Sequence, residues 1–477
     1  MELHIPYFKY ILASKLTQKP FSNSLYSLNR STASYLKMIN LILYILSIFS
    51  YSSALSNQID VEISGKNYSP IPIAINTFDC HQGQQNMAEA IRSIIKQDLN
   101  NSGLFSTISE EAFIEQLSPI SSTPFFPAWK KINATILVNA KISEISSNVY
   151  TINFRIWDVV LGKSVSHKLI EFHKNSVRRV AHKIANNIYL CLTGEDGYFD
   201  SRITYVSEYI SKSSQNSYVK RIAIMDHDGE NHRYLTNGQH VAISPKISPQ
   251  NDKIIYSDFR KGMSKVFLRN LYSGEEILLT SVPGNVFAPR FSNDGTKALL
   301  SIAHKGITHI FELEIATKSL KKLTRGMSIN TSPNYSPDGK NIVFNSDRSG
   351  SPKLYVMSSD GSNVRPLCPN AEGVYAEPTW SPRGDRVACI KILRGQGFRL
   401  AVINLRTQKE TIVASARMIQ GHCWSPNGHF LIYSLEHPVA VDGFRAWKLY
   451  KVDIYGNLKI LVPTPYNATD PHWVKLP

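Results

Sequence analysis

One short pattern recurs five times along the second half of this chain at almost constant spacing. The copies are Ile247-Ser248-Pro249-Gln250-Asn251, Phe291-Ser292-Asn293-Asp294-Gly295, Tyr335-Ser336-Pro337-Asp338-Gly339, Trp380-Ser381-Pro382-Arg383-Gly384 and Trp424-Ser425-Pro426-Asn427-Gly428. The serines stand at 248, 292, 336, 381 and 425, so the intervals are 44, 44, 45 and 44 residues. A period in the low forties accommodates four short strands with their turns, which is the unit of a β-propeller blade. Propellers are rigid platforms, and this directs the functional question toward binding before catalysis.

The clearest copy runs from Pro333 to Leu367. Pro333 to Ser336 is a short strand, and Pro337-Asp338-Gly339 is a tight turn in which proline presets φ and glycine supplies the positive φ. Asn341 to Ser346 alternates as a half-buried strand, Asp347 to Gly350 turns, and Leu354 to Met357 is the third strand. Ser359-Asp360-Gly361 makes the next hairpin, and Val364 to Leu367 forms the outer edge. The large residue before each serine is expected to pack between blades, because a single four-stranded sheet cannot bury both of its faces.

The ends of the repeat give the blade count. Ahead of Ser248 lie Arg202 to Ser207, Arg221 to Met225 and Asp228-Gly229, a unit without its own leading strand. That strand stands at the opposite end as Asp470-Pro471-His472-Trp473-Val474. Joining the two would close the ring and remove exposed strand edges. The expectation is a mainly β chain, a six-bladed propeller over 198–477, with an inserted loop around His437 to Arg445.

A region of different texture precedes it, over 70–197. Ile71 to Phe78 reads as a strand, and Met87 to Asn101 as an amphipathic helix stopped by Ser102-Gly103. Thr135 to Ile142, Tyr150 to Asp158 and Val165 to Phe172 read as strands. A last helix spans Ser176 to Cys191, with Gly194 as its stop. This predicts a small α/β domain. Before it, over 55–69, Ile59, Val61 and Ile63 alternate with Gln58, Asp60 and Glu62. Such a strand can add to another protein's sheet edge or pair with its own domain.

Residues 1–54 read as an N-terminal extension and signal peptide. Lys37 precedes the apolar run Ile39 to Phe49, and small residues Ser50, Ser52, Ser53 and Ala54 follow, with cleavage expected after Ala54. The run is short for a transmembrane helix, so no span is expected after cleavage. Met38 offers an alternative start to Met1. The net charge of +16 invites a nucleic-acid reading, but its lysines and arginines are scattered through turns without a basic run, so no nucleic-acid partner is expected. Five cysteines without CxxC spacing make neither a zinc site nor a disulfide framework; most are expected to be buried singly.

These residues resemble the TolB family, periplasmic propellers of the Tol-Pal system of Gram-negative bacteria. The resemblance rests on Asp98-Leu99-Asn100-Asn101-Ser102-Gly103-Leu104-Phe105, Pro127-Ala128-Trp129, Leu192-Thr193-Gly194 with Arg202 to Val206, the Ser-Pro-Asp-Gly repeats and the closing Pro471-His472-Trp473. It implies a non-enzymatic periplasmic scaffold joining TolA of the inner membrane to Pal, the peptidoglycan-associated lipoprotein, with room for other outer-membrane lipoproteins. Roles in outer-membrane integrity and in invagination at division follow from the same resemblance. The TolA strand would use Leu55, Ile59, Asp60, Val61, Glu62 and Ile63. The loops 284–288, 328–332, 373–377 and 417–422 would line the mouth that takes Pal, with Asn285, Val286, Asn330, Thr331, Tyr375 and Glu377 as candidate contacts. No cofactor, catalytic residue or metal ligand is implied.

Two other readings differ in class. A hydrolase related to prolyl oligopeptidase would need a Gly-x-Ser-x-Gly elbow and a further α/β domain, but only four residues follow Trp473. His-Glu-x-x-His, phosphate-loop and dinucleotide motifs are also absent from the sequence. A secreted propeller holding a glycan or small ligand in its channel would repeat polar or aromatic residues at channel positions, and the mouth segments do not repeat.

Overall fold

The computed structural model describes residues 69–477 except 116–119, 212–216, 261, 369–371 and 438–445. The signal-peptide reading and the strand residues Leu55, Ile59, Asp60, Val61, Glu62 and Ile63 lie outside the described residues, as does most of the inserted loop after His437.

The first sheet joins β1 (Ile71–Ile75), β2 (Phe105–Thr107), β3 (Ile136–Ser146), β4 (Val149–Asp158) and β5 (Lys163–His173) in the order β2-β1-β3-β4-β5. β1 runs parallel to both neighbours, and β3, β4 and β5 form an antiparallel meander. Helices α1 (Gln85–Asn101) and α2 (Phe126–Lys131) precede β3, and α3 (Val177–Thr193) follows β5. α1 and α3 cover one face, where Ile91, Ile95, Leu99, Ile184 and Ile188 pack on Ile73, Ile75, Val138 and Ile152. Each such buried side chain contributes roughly 1.5–3 kcal/mol. α3 ends at Gly194, whose φ of 72° is the left-handed stop that favours glycine. The short α2 covers the other face with Trp129, against Ala74, Leu137 and Trp157.

Six four-stranded antiparallel sheets follow. Blade 1 takes its innermost strand from the C-terminus: Asn467–Lys475 pairs with Ser201–Ser211, setting Trp473 opposite Ile203. Blades 2 to 6 each use consecutive strands, beginning with Val241–Ile247, Asn285–Phe291, Asn330–Tyr335, Val374–Trp380 and Ile419–Trp424. The large residues before the serines fill the blade junctions as expected. Tyr335, for example, packs among Leu299, Ile310 and Leu323 of blade 3 and Ile342 and Phe344 of its own blade. The serines have a separate reason to recur. Four of the five hydroxyls accept the backbone N–H five residues later, from Lys253, Lys297, Asn341 and Phe430 at 2.9–3.0 Å, and so close the turn; that of Ser381 accepts from Arg383 N at 3.2 Å.

The α/β region and blades 1 and 6 share one continuous apolar core. Tyr198 lies against Phe199, Phe430 and Trp473 with ring centroids 4.5–5.4 Å apart. All five cysteines are free, but only Cys389 and Cys423 are buried; Cys80, Cys191 and Cys368 are half-buried, which corrects the expectation of buried singles. Among the described residues no helix is long and apolar enough to cross a membrane.

Trp473 joins ring closure to the domain junction, donating from Nε1 to Ser201 Oγ at 2.7 Å. Trp473→Ala is expected to lower stability by about 3–5 kcal/mol in urea unfolding. Tyr272→Ala, at a side chain 83% exposed, should shift it by under about 0.5 kcal/mol. Equal effects of the two substitutions would contradict the closure assignment.

Candidate functional site

The innermost strand of every blade is broken at the same place. Ser244, Ala288, Ser332, Glu377, Gly421 and Asp470 all have φ between 50° and 54°, each within a shift of strand register. Five of the six precede a proline, and the sixth precedes His422. These bulges turn side chains and N–H groups toward the axis, as β-bulges do where a sheet must re-aim a residue. Gly421 is required by space as well as by φ, since a Cβ there would stand 2.9 Å from Asp470 Cα.

The bulges wall a cavity of about 480 Å³ at one end of the channel. Two carboxylates in it are each anchored by a neighbouring bulge: Ser244 N donates to Asp470 Oδ2 at 3.2 Å and Gly421 N to Glu377 Oε2 at 3.0 Å. Burial, reinforced by the charge of Asp470, raises the Glu377 carboxyl above its ordinary range. Two residues beyond each bulge residue lies a second ring: Lys246, Arg290, Asn334, Thr379, Cys423 and His472. Three of its side chains accept a backbone N–H from the next blade, Asn334 from Trp380 at 2.7 Å, His472 from Ile247 at 3.1 Å and Cys423 from Trp473 at 3.3 Å. His472 is thereby an acceptor, and burial with the nearby Lys246 and Arg290 keeps it neutral. Burial likewise drives His422 down to about 3.

The candidate mouth residues divide by exposure. The segments expected to be loops are instead the leading halves of the innermost strands, with the bulges at or near their ends. Asn285 is exposed, with its Oδ1 accepting from Ser264 N at 3.0 Å, and Thr331 and Glu377 are half-buried. Val286 is wholly buried, and Tyr375 is buried with its hydroxyl donating to Glu410 Oε2 at 2.7 Å. Asn330 is also wholly buried: Nδ2 donates to Thr308 O and Ser328 O at 3.1 and 2.9 Å, and Oδ1 accepts from Arg348 at 2.8 Å. The strand periodicity that marks a residue as near the mouth does not tell which way a bulged strand turns it.

Sequence reasoning missed a second polar centre, between the α/β region and the propeller. Asp98 of α1 is buried with Oδ2 2.7 Å from His182 Nδ1 of α3 and Oδ1 3.0 Å from His227 Nε2 of blade 1. Buried Lys451 of blade 6 donates to Asn101 O at 3.0 Å and to the Tyr198 hydroxyl at 3.1 Å. Asp98, His182, His227 and Asp228 offer ligand atoms within 4.8 Å of one another. Arg178 already holds Asp228, however, and both Asp98 oxygens face imidazoles, so the group works as a hydrogen-bonded junction as it stands. Asp98 opens the family-like segment Asp98 to Phe105, but its partners come from 84 and 129 residues away, beyond any local pattern.

The fold and channel define a class: six-bladed propellers with an α/β region docked on the closing blade. Residues 59–165 match the model of the TolB amino-terminal domain, and residues 189–476 match that of the TolB beta propeller domain. Tol-Pal system protein TolB of Rickettsia africae and its counterpart in Rickettsia conorii are each 42% identical over 446 residues, covering 91% of this chain and 99% of theirs. The crystal structure of TolB from Acinetobacter baumannii shares the fold with a TM-score of 0.74 at 24% identity, over 87% of this chain and 99% of that one. The chain belongs to the TolB family.

The junction has a pH signature. Burial alone would raise Asp98, but His227 and His182 outweigh it and hold the carboxyl down at about 2. Burial opposes protonation of His182, yet the Asp98 hydrogen bond and charge raise it. The Asp98 contribution is therefore present above its unfolded value of 3.8 and lost as pH falls toward 2. The His182 contribution is present below 6.5 and lost as pH rises through its raised folded value. Asp98→Asn should flatten the acid limb of a thermal-unfolding profile and cost about 3–5 kcal/mol between those limits. A profile parallel to the wild type would contradict this account.

Proposed function

We propose that this chain is a periplasmic, non-enzymatic scaffold of the Tol-Pal system, holding Pal at the propeller mouth and TolA through residues 55–66. As a TolB-family member the chain is a Tol-Pal component, and interaction with other components of that system follows. The observation that carries the finer reading is the mouth. Six bulged strands hold an open cavity at one end of the channel, mainly apolar in lining with a few placed polar groups, bordered by Asn285 and Glu377, and a concavity of this kind accepts a protruding loop of a partner. Val286, Asn330 and Tyr375 support that rim from within; Asn285, Thr331 and Glu377 are the candidate contacts.

The α/β region is docked on the face that carries the serine turns, where Asp196 O accepts from Asn427 Nδ2 at 3.1 Å and Arg383 pairs with Glu195 at 2.9 Å. The mouth cavity is lined instead by the bulge residues of the innermost strands and their neighbours. Two partners can then be held without competing for one surface. Communication between the two contacts requires that each partner favour a different state of the same element, and the segment before β1 is the element proposed.

Deletion of 55–66 should abolish capture of TolA and leave Pal affinity within about twofold in pull-down and calorimetry. Thr331→Arg should do the reverse, weakening Pal by about tenfold or more and sparing TolA. Loss of both partners in either variant, or of neither in both, would overturn the division of labour.

A further inference from the structure

The second ring of the channel contains two residues that cannot do what their counterparts do. Asn334, Cys423 and His472 are acceptors for the next blade, whereas Lys246 and Arg290, side by side on blades 2 and 3, are donors only. Lys246 is 6% exposed and lines the cavity, and Arg290 lines both this cavity and the recess on the serine-turn side. Among the described residues neither cation has a hydrogen bond, and neither has a carboxylate oxygen within 4.0 Å. The acids nearest in the cavity, Glu377 and Asp470, are turned onto the N–H groups of Gly421 and Ser244. The imidazoles of His422 and His472 are neutral.

A buried ammonium beside a guanidinium, without an anion of its own, is costly unless something outside the chain neutralises it. We propose that Lys246 and Arg290 form a carboxylate-binding subsite at the floor of the channel, reached through the mouth. A planar guanidinium takes a carboxylate through two parallel N–H bonds, and the ammonium adds a third donor. The cavity is large enough for a small polycarboxylate or for one acidic side chain on a docked loop. Use of the subsite by a docked partner rests on the reading of the mouth given above; the subsite itself does not.

Burial and the neighbouring Arg290 bring Lys246 to about 7, while Glu377, Asp470 and Cys423 pull the other way. A bound carboxylate therefore favours the charged ammonium, and proton uptake accompanies binding.

Citrate titrated calorimetrically into the whole chain is the first probe. The expected result is one site per chain, tighter by about tenfold at about pH 6 than at about pH 8, with proton uptake seen between buffers of different ionisation enthalpy. Lys246→Met and Arg290→Gln should each weaken it by about tenfold or more. Lys246→Met should also unfold at a higher temperature than the wild type without citrate, which separates loss of the site from loss of the fold. Pal affinity of the same variants is the second arm. A loss of about tenfold assigns the carboxylate to the docked partner, and unchanged Pal affinity with citrate binding lost assigns it to a free small acid. Absence of citrate binding to the wild type together with unchanged Pal affinity in both variants overturns the subsite. Failure of Pal to bind the wild type overturns the reading of the mouth and leaves the citrate result to decide the subsite.

Discussion

Everything in this molecule depends on one strand pairing made across almost the whole propeller sequence. Asn467–Lys475 must find Ser201–Ser211 before the ring exists, because six sheets in sequence order would otherwise leave an open edge at each end. The pairing brings Trp473 under Tyr198 and beside Cys423, so closing the ring also builds the platform on which the α/β region sits. Contacts of such sequence separation are slow to form and are rewarded only at the end of folding. Local turns carry the intermediate stages: four of the five repeat serines tie their own hairpins by a hydroxyl without reference to the rest of the ring.

Closure also creates the channel, and the bulges give it chemistry. A regular strand would alternate its side chains across the blade faces; one left-handed residue per strand redirects the chain toward the axis instead. The result is a stack of two rings with different charge. Acids anchored to backbone N–H groups stand on the outer ring and unanchored cations on the inner one. At the other end of the assembly the α/β region is held by apolar packing with one buried carboxylate between two imidazoles. That junction tolerates little: its charges are paired with each other and buried away from water, so removal of any one leaves another uncompensated.

Legibility in the sequence follows from range. The blades were readable because each hairpin is specified within its own period by proline, Asp-Gly and alternation, and the missing first strand could be located by its Pro-His-Trp likeness. The two long helices of the α/β region were readable from their apolar stripes. β2, three residues long, and the six-residue α2 carry too short a pattern to register as elements. At the mouth all six candidate contacts carry the same sequence signal, yet Asn285 is exposed while Asn330 and Tyr375 turn inward to partners at Thr308 and Glu410, which no spacing rule links to them. Asp98 and its histidines, and the Lys246–Arg290 pair, are products of tertiary closure and leave no local signature.

The central claim is that the bulged end of the channel, and not the serine-turn end, receives Pal. A photo-crosslinking residue placed in turn at Asn285 and at exposed Asp338 tests this most directly, because both sites are accessible and they belong to opposite faces of the ring. The account predicts a covalent product with Pal from position 285 and none from position 338. Crosslinking from 338 with none from 285 would contradict it.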